Sequence, residues 1–413
     1  MADRTTSAGV PEGEHRPGTL ARRVKDKVAA RARMRRQPPP PWRQGNHFRL
    51  LNDGREFFPR MLAAIDAARE YVLLEMYLVE SGRVMDRFIH ALGQAAARGV
   101  RVCALFDGFG ALGLKPSDRR RLLDAGVQVC WYNALGWRKR LANLIRNHRK
   151  LLVVDGRTAF VGGAGLTDEF DDPVPDGRPW REVMVEIEGP VVGDWVSLFS
   201  ETWRHSGGAP LSVSVADPRT DKRGAEGRVV YSAGWHRSIL ADSVIEQMEN
   251  ARTRVYVVSA YFVPSRRFRK TLRRAVRRGV DVRVLAPGPV TDHPLVRHAG
   301  RRFFGKLLRN GVRIFEYQPR VLHAKLVICD DWVSVGSANL DRWNFKWNLE
   351  ANQEIRGRAF ADAAAAMFER DCADSVELES RAWARRPWSD RLREAWARWV
   401  DRLLETWRRP PVR

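Results

Sequence analysis

The chain has 413 residues, 44% of them hydrophobic, enough for two domains and a large buried core. Its formal net charge of +23 points to a polyanionic partner, either nucleic acid or an anionic membrane surface. Four cysteines (Cys103, Cys130, Cys329, Cys372) without a CxxC pair argue against a zinc site or disulfide framework. No secretory signal is visible and no apolar run reaches the ~18 residues of a membrane span, so a reducing cytosol is expected, on or off a membrane.

Residues 1–45 carry a net charge of +7, a proline run from Pro38 to Pro41 and few large apolar residues. They are expected to be a basic disordered tail with a short basic helix from Leu20 to Arg36. Two weakly similar halves follow, expected at 46–205 and 228–380. "YVLLEMYLV" (Tyr71–Val79) matches "VYVVSAYFVP" (Val255–Pro264), and "AAARGVRVCALFDG" (Ala95–Gly108) matches "AVRRGVDVRVLAPG" (Ala275–Gly288). "LLDAGVQVCWYN" (Leu122–Asn133) likewise matches "LLRNGVRIFEYQ" (Leu307–Gln318). Each half reads strand, helix ending at glycine, strand, helix ending at glycine, strand, then a further strand. This alternation predicts an α/β fold: in each domain a largely parallel or mixed sheet with helices on both faces. The polar, turn-rich segment 206–227 is the expected linker.

Residues 381–413 carry a net charge of +6. From Asp390 to Trp407 the residues Leu392, Trp396, Trp399, Val400, Leu403, Leu404 and Trp407 form one helical stripe. Arg391, Arg393, Arg398 and Arg402 lie on the other faces, and Ser389 is a plausible N-cap. The pattern fits an interfacial helix on an anionic bilayer, or a terminal helix packed on its own domain. Trp383 and Trp388 add to the bilayer reading.

The final strand of each half carries the same frame: His148-x-Lys150-x4-Asp155 and His323-x-Lys325-x4-Asp330. Residues two apart on a strand project from one face, so each histidine and lysine should point into a common space. A single His-x-Lys is commonly a product of surface composition. Two copies in one frame, at matching places in a repeat, are not. Small residues follow, Gly162-Gly163 and Gly336-Ser337-Ala338-Asn339, which would let a ligand approach the backbone while Ser337 and Asn339 donate to it.

This doubled motif resembles the phospholipase D superfamily over residues 47–360. "DGFG" (Asp107–Gly110), "YFVP" (Tyr261–Pro264), "VGSANLD" (Val335–Asp341) and "NLEAN" (Asn348–Asn352) resemble the bacterial cardiolipin synthases, in particular the short branch without N-terminal transmembrane helices. The resemblance implies two tandem phospholipase D-like domains related by a pseudo-twofold axis, with one shared active site. Two departures stand out. The first motif has Gly162-Gly163-Ala164-Gly165 where the superfamily has Gly-Ser-x-Asn, so phosphate contacts there fall to backbone N–H groups or to Thr167. The turn after Asp330 is one residue shorter than that after Asp155, which predicts a tighter hairpin.

A phosphodiester anion repels nucleophiles, so a catalyst must neutralise charge and position in-line attack. Lys150 and Lys325 would supply fixed charge, and Asn339 and Ser337 directed hydrogen bonds. No metal or other cofactor is expected. One histidine would attack phosphorus and the other protonate the leaving alcohol and deprotonate the incoming one. The resemblance implies that His148 attacks. Glu182 and Glu350, 34 and 27 residues after the two histidines, are the candidate orienting carboxylates. Asp155 and Asp330 belong to the motif but fall seven residues from histidine, so a role in loop architecture is expected to outweigh contact with substrate. His293, beside Asp292, is a weaker pocket candidate. His15, His47, His90, His205, His236 and His298 have no partner pattern.

The expected activity is phosphatidyl transfer on the cytoplasmic face of the bacterial membrane, where the enzyme sits peripherally. Two phosphatidylglycerols would give cardiolipin and glycerol, with phosphatidylethanolamine an alternative second donor. The competing reading is a metal-independent nuclease using the basic surface on DNA or RNA.

Overall fold

The structure is a computed structural model describing residues 40–136, 143–172, 177–214, 224–233, 239–340 and 348–387. The sequence-based expectations for a helix at 20–36 and an amphipathic helix at 390–407 lie outside the described residues. The first half runs β1 (Arg43–Asn52), α1 (Gly54–Asp66), β2 (Tyr71–Met76), α2 (Arg83–Ala97), β3 (Arg101–Asp107), α3 (Pro116–Asp124), β4 (Gln128–Tyr132), β5 (Arg146–Asn147), β6 (Leu151–Val154), β7 (Thr158–Gly162), β8 (Val183–Glu188) and α4 (Val192–His205). The second half runs β9 (Ala225–Ala233), α5 (Ile239–Asn250), β10 (Arg254–Ser259), α6 (Arg266–Arg277), β11 (Asp281–Pro287), α7 (Pro294–Arg301), α8 (Phe304–Leu308) and β12 (Arg313–Tyr317). It continues with β13 (Lys325–Cys329), β14 (Trp332–Gly336), β15 (Asn348–Arg356), α9 (Arg358–Ala373), β16 (Ser375–Glu377) and α10 (Ser380–Ala384).

Local sequence explains the repeat. Helix α2 buries Val84, Met85, Phe88, Ile89, Leu92 and Ala95, the three-and-four spacing of one helical face. Helix α6 does the same with Phe268, Leu272 and Ala275, and Ser265 caps its start by accepting from the Phe268 N–H at 3.2 Å. Both stop where glycine turns left-handed, at Gly99 and Gly279, each with φ of 86°. Strands β2 and β13 are buried along their whole length because helices cover both faces.

One sheet runs through the molecule in the order β16-β12-β11-β10-β13-β14-β15-β9-β1-β8-β7-β6-β2-β3-β4. Apart from β16, the order reads the same from either edge toward the β9–β1 junction, where the two halves meet antiparallel. In each half the outer strands pair in parallel and the motif strand antiparallel: β6 on β2 and β13 on β10. This is the duplicated mixed sheet that the repeat predicts. Helices α4 and α9 share one core with strands of both halves, including Leu73, Val153, Trp195, Phe199, Tyr256, Ile328 and Phe368. The Trp195 indole donates across the halves to Gln353 at 2.9 Å. Separate cores lie under α1 and α2 and under α5 and α6.

Three expected boundaries shift. Strand β1 begins at Arg43, inside the segment assigned to the tail, and β9 begins at Ala225, inside the assigned linker; each is recruited by the other across the junction. Trp383 is buried against Phe304, with the Arg301 guanidinium over its ring at 4.7 Å, so it belongs to the second half's core and not to a bilayer-facing stripe.

Candidate active site

The segments that lead into the two motif strands each pair with the opposite half. Arg146 and Asn147 lie parallel to Asn348 and Leu349, and the His148 N–H donates to the Leu349 carbonyl at 2.9 Å. His148 therefore stands beside Glu350, and its Nδ1 lies 3.1 Å from that carboxylate. In the mirror arrangement Arg181 bridges Leu322, and the His323 N–H donates to the Arg181 carbonyl at 2.8 Å. His323 Nδ1 lies 2.5 Å from Glu182. The spacing within each half pairs His148 with Glu182 and His323 with Glu350; the structure exchanges the partners.

Buried polar groups hold these crossings. The Arg181 guanidinium donates to Asp371 at 3.0 Å and to Asp53 at 3.2 Å. Asp107 accepts from the Asn147 N–H at 2.8 Å and pairs with Arg146 at 3.3 Å. The Asn147 amide donates to buried Glu75 at 2.6 Å. Asp107 and Glu75 stand in the quoted segments "DGFG" and "YVLLEMYLV", but no role follows from them there; a carboxylate near the end of an apolar strand, as Glu75 is in β2, is the signal for one.

Burial dominates the electrostatics. It lowers the pKa of both histidines, His323 well below its ordinary value, and neighbouring ammonium groups add to the effect. Lys150 is pushed down to about 7, by burial and then by Lys325, against the opposing pull of Glu350. Lys325 is lowered by burial too. Glu182 is pushed up to about 7 by burial, against the pull of Lys325. Lys325 acts on His148, and Lys150 and His148 act on His323, so the two motifs form one electrostatic unit. Burial thus makes charge of either sign costly in this cluster, and a bound phosphate would give the two lysines an anionic partner.

The Lys150 ammonium donates to the His148 carbonyl at 2.7 Å and lies 5.1 Å from the centre of the Tyr77 ring, which packs on His148 at 4.6 Å. The Lys325 ammonium donates to the His323 carbonyl and lies 2.9 and 3.2 Å from the two ring nitrogens. Phe170 and Trp180 wall His323, each with ring centres 5.4 Å away.

The small-residue loops differ from expectation. The Ser337 hydroxyl donates to Glu350 at 2.6 Å, so it steadies the carboxylate that holds His148 and is not a free phosphate donor. A Cβ on Gly163 would lie 2.2 Å from the Glu182 carboxylate, and one on Gly162 2.5 Å from the Val183 carbonyl. These glycines admit the neighbouring strand and its carboxylate rather than a ligand. The buried Asn339 amide and the buried Thr167 hydroxyl have no hydrogen-bond partner among the described residues. At Gly165, the counterpart of Asn339, a Cβ would lie 2.6 Å from the Leu78 carbonyl, which excludes an asparagine there.

Asp155 and Asp330 lie at the far ends of β6 and β13, roughly 17 Å along the strand from each lysine by strand geometry. Their carboxylates accept the N–H groups of Arg69, Glu70 and Tyr71, and of Arg252, Thr253 and Arg254. Both are left-handed, with φ of 51° and 52°, at the hairpin corners. The second hairpin closes with two residues and the first with three, the tightening that the spacing implied. Asp292 accepts from the Tyr261 hydroxyl near His323, while His293 is 61% exposed beside them. His47, His90, His205 and His298 lie elsewhere in the fold; His15 and His236 lie outside the described residues. Among the described residues no group of three or more His, Cys, Asp and Glu side chains is placed to hold a metal ion.

A duplicated mixed sheet whose two His-x-Lys strands converge on one buried, cation-rich site defines the phospholipase D superfamily. The family model for the cardiolipin synthase, PLD-like domain matches residues 61–203 and 244–372. Cardiolipin synthase A of Pseudomonas putida is 36% identical over 81% of this chain and 70% of its own length; that of Pseudomonas aeruginosa is 37% identical over 81% and 68%. The chain belongs to the cardiolipin synthase family of phospholipase D-like proteins. In fold it also resembles a phosphatidylserine synthase from Haemophilus influenzae, with a TM-score of 0.64 at 13% identity over 92% of this chain and 99% of that one.

Proposed function

We propose that the protein transfers a phosphatidyl group between phosphatidylglycerol molecules, making cardiolipin and glycerol. The observation that carries the reading is the crossed pair of histidine–carboxylate contacts, one from each half, within a single cluster of two lysines. Glu350, accepting from His148 Nδ1–H, leaves a lone pair on Nε2 for phosphorus. That nitrogen attacks, the bond from phosphorus to the headgroup glycerol oxygen breaks, and His323 passes that oxygen a proton while drawing one from Glu182, 2.5 Å from its Nδ1 and raised to about 7. A hydroxyl of a second phosphatidylglycerol headgroup then loses its proton to His323 and displaces His148. Lys150, Lys325 and the Asn339 amide meet the charge on the phosphate oxygens. Either histidine could in principle attack. His148 is favoured by the resemblance to the superfamily, in which the N-terminal histidine attacks.

The enzyme works on the cytoplasmic face of the bacterial membrane as a peripheral protein. No helix among the described residues is long and apolar enough to cross a membrane. The short-branch assignment rests on the quoted motifs alone, since the relatives compared carry the A designation. The lipid relatives favour this reading over a nuclease. The test is incubation with phosphatidylglycerol, alone and with phosphatidylethanolamine, followed by separation of lipid products. Cardiolipin and free glycerol from phosphatidylglycerol alone support the proposal. Phosphatidic acid as the sole product would replace it with a hydrolase.

A further inference from the structure

Eight large apolar side chains are exposed among the described residues, and six occupy three short stretches: Phe109 and Leu112, Leu135 and Leu144, Val290 and Leu295. Their exposures run from 38% to 57%. Scattered apolar side chains are ordinary on a soluble surface, but concentration around one feature is not. These stretches follow the C-terminal ends of β3, β4 and β11. His148 and His323 enter β6 and β13 at that same edge, because those strands run antiparallel to β2 and β10.

Each stretch is also tied to the site. The Val79 N–H donates to the Gly110 carbonyl at 3.2 Å, which seats the first loop along Tyr77, the residue whose ring packs on His148. Asn133 donates to the Ile145 carbonyl at 2.8 Å and accepts from Arg146, two residues before His148. Val290 and Leu295 flank Asp292, which accepts from Tyr261, whose ring centre is 6.4 Å from that of His323. Both halves thus contribute apolar tips around one polar, cationic centre.

Resting on the lipid reading of that centre, we propose that these tips form a rim that inserts into the headgroup–acyl boundary of an anionic phospholipid bilayer. The phosphate would then reach the histidines without the lipid leaving its leaflet. A bilayer suits the rim better than a second copy of the chain: a dimer through it would close both sites, and a net charge of +23 repels another copy while drawing anionic lipid.

The experiment uses the full chain and a Leu112→Ser/Leu135→Ser/Leu295→Ser variant, with Leu123→Ser, away from these loops, as control. Three quantities are measured: sedimentation with phosphatidylglycerol vesicles, turnover of phosphatidylglycerol in those vesicles, and turnover of a short-chain phosphatidylglycerol below its micellar concentration. The triple variant should bind vesicles about tenfold or more weakly and lose vesicle turnover in step, since each side chain gives up its burial in the bilayer. It should keep parental turnover of the monomeric lipid, and Leu123→Ser should match the parent throughout. Undiminished vesicle binding by the triple variant overturns the rim. So does equal loss on monomeric lipid, or dissociation of an oligomer in place of a binding defect. A parent inactive on both lipid forms would instead refute the phosphatidyltransferase reading.

Discussion

His148 Nδ1 meets Glu350, 202 residues further along the chain, at 3.1 Å. The carboxylate nearer in sequence, Glu182, lies against His323 instead, at 2.5 Å. Neither half of the molecule holds a complete histidine–carboxylate pair, so the site exists only where the halves meet.

This exchange predicts which carboxylate serves which step. With an activated leaving group that needs no proton, Glu182→Ala should recover much of the first half-reaction, because its defect lies in His323, the acid. Glu350→Ala should not recover, because its defect lies in the attacking ring. Each should cost about 10²–10⁴ in kcat on the natural lipid, the usual worth of acid–base assistance. Carboxylates acting within their own halves would give the reverse pattern of rescue.

The buried charges predict a stability profile. Glu182, with its pKa raised from 4.5 to about 7, holds its proton more tightly when folded, so its contribution to stability is lost as pH rises from 4.5 through 7. Lys150, with its pKa lowered from 10.5 to about 7, is costly to the fold when charged, so its contribution returns only as pH rises from 7 toward 10.5. His148 and His323, lowered by burial, add a rise below pH 6.5 that opposes Glu182, so each contribution is read as the difference between a variant and the parent. Calorimetry from pH 5 to 10 should show Glu182→Gln gaining stability on the parent as pH rises from 5 to 7, and Lys150→Met losing its advantage over the parent as pH rises from 7 to 10. Profiles parallel to the parent in both variants would remove these two groups from the balance.

Asp155 and Asp330 are predicted to matter through stability. Alanine at either position loses three backbone hydrogen bonds and must adopt a left-handed φ, a cost of about 2–5 kcal/mol. Urea denaturation should register that loss. Below the melting range kcat should stay within a few-fold of the parent; a loss as large as that of a histidine variant would place these carboxylates in the chemistry.

Thr167 is predicted to take over part of the work of the missing asparagine. The buried Thr167 hydroxyl lacks a partner among the described residues, as a group awaiting a phosphate oxygen would. Thr167→Val should lower kcat/KM about tenfold, as expected for one lost hydrogen bond to a charged group. Thr167→Ser should restore most of it, and equal activity in the valine variant would remove the residue from the site.

The sequence carried the repeated helices and their glycine stops, because these follow from local periodicity and backbone conformation. It also carried the doubled His-x-Lys frame and the tighter second hairpin, because both are matters of count. It did not carry the exchange of Glu182 and Glu350, which depends on Arg146–Asn147 pairing with β15 and Arg181 with Leu322, contacts with no local signature. It read Ser337 as a phosphate donor because a hydroxyl beside a glycine looks available until the opposing strand brings a carboxylate to it. Composition likewise does not separate a surface tryptophan from one that closes a core, as Trp383 does against Phe304.

The most direct measurement is the location of the covalent intermediate. His323→Ala is mixed with a phosphatidyl ester whose leaving group needs no proton, and the quenched protein is digested and analysed by mass spectrometry. With His148 as nucleophile and no base left to activate an acceptor, the adduct should accumulate on the peptide containing His148 and be absent from the His148→Ala/His323→Ala double variant. An adduct on any other peptide, or turnover with no adduct at any time, would contradict a phosphohistidine at His148 held by Glu350.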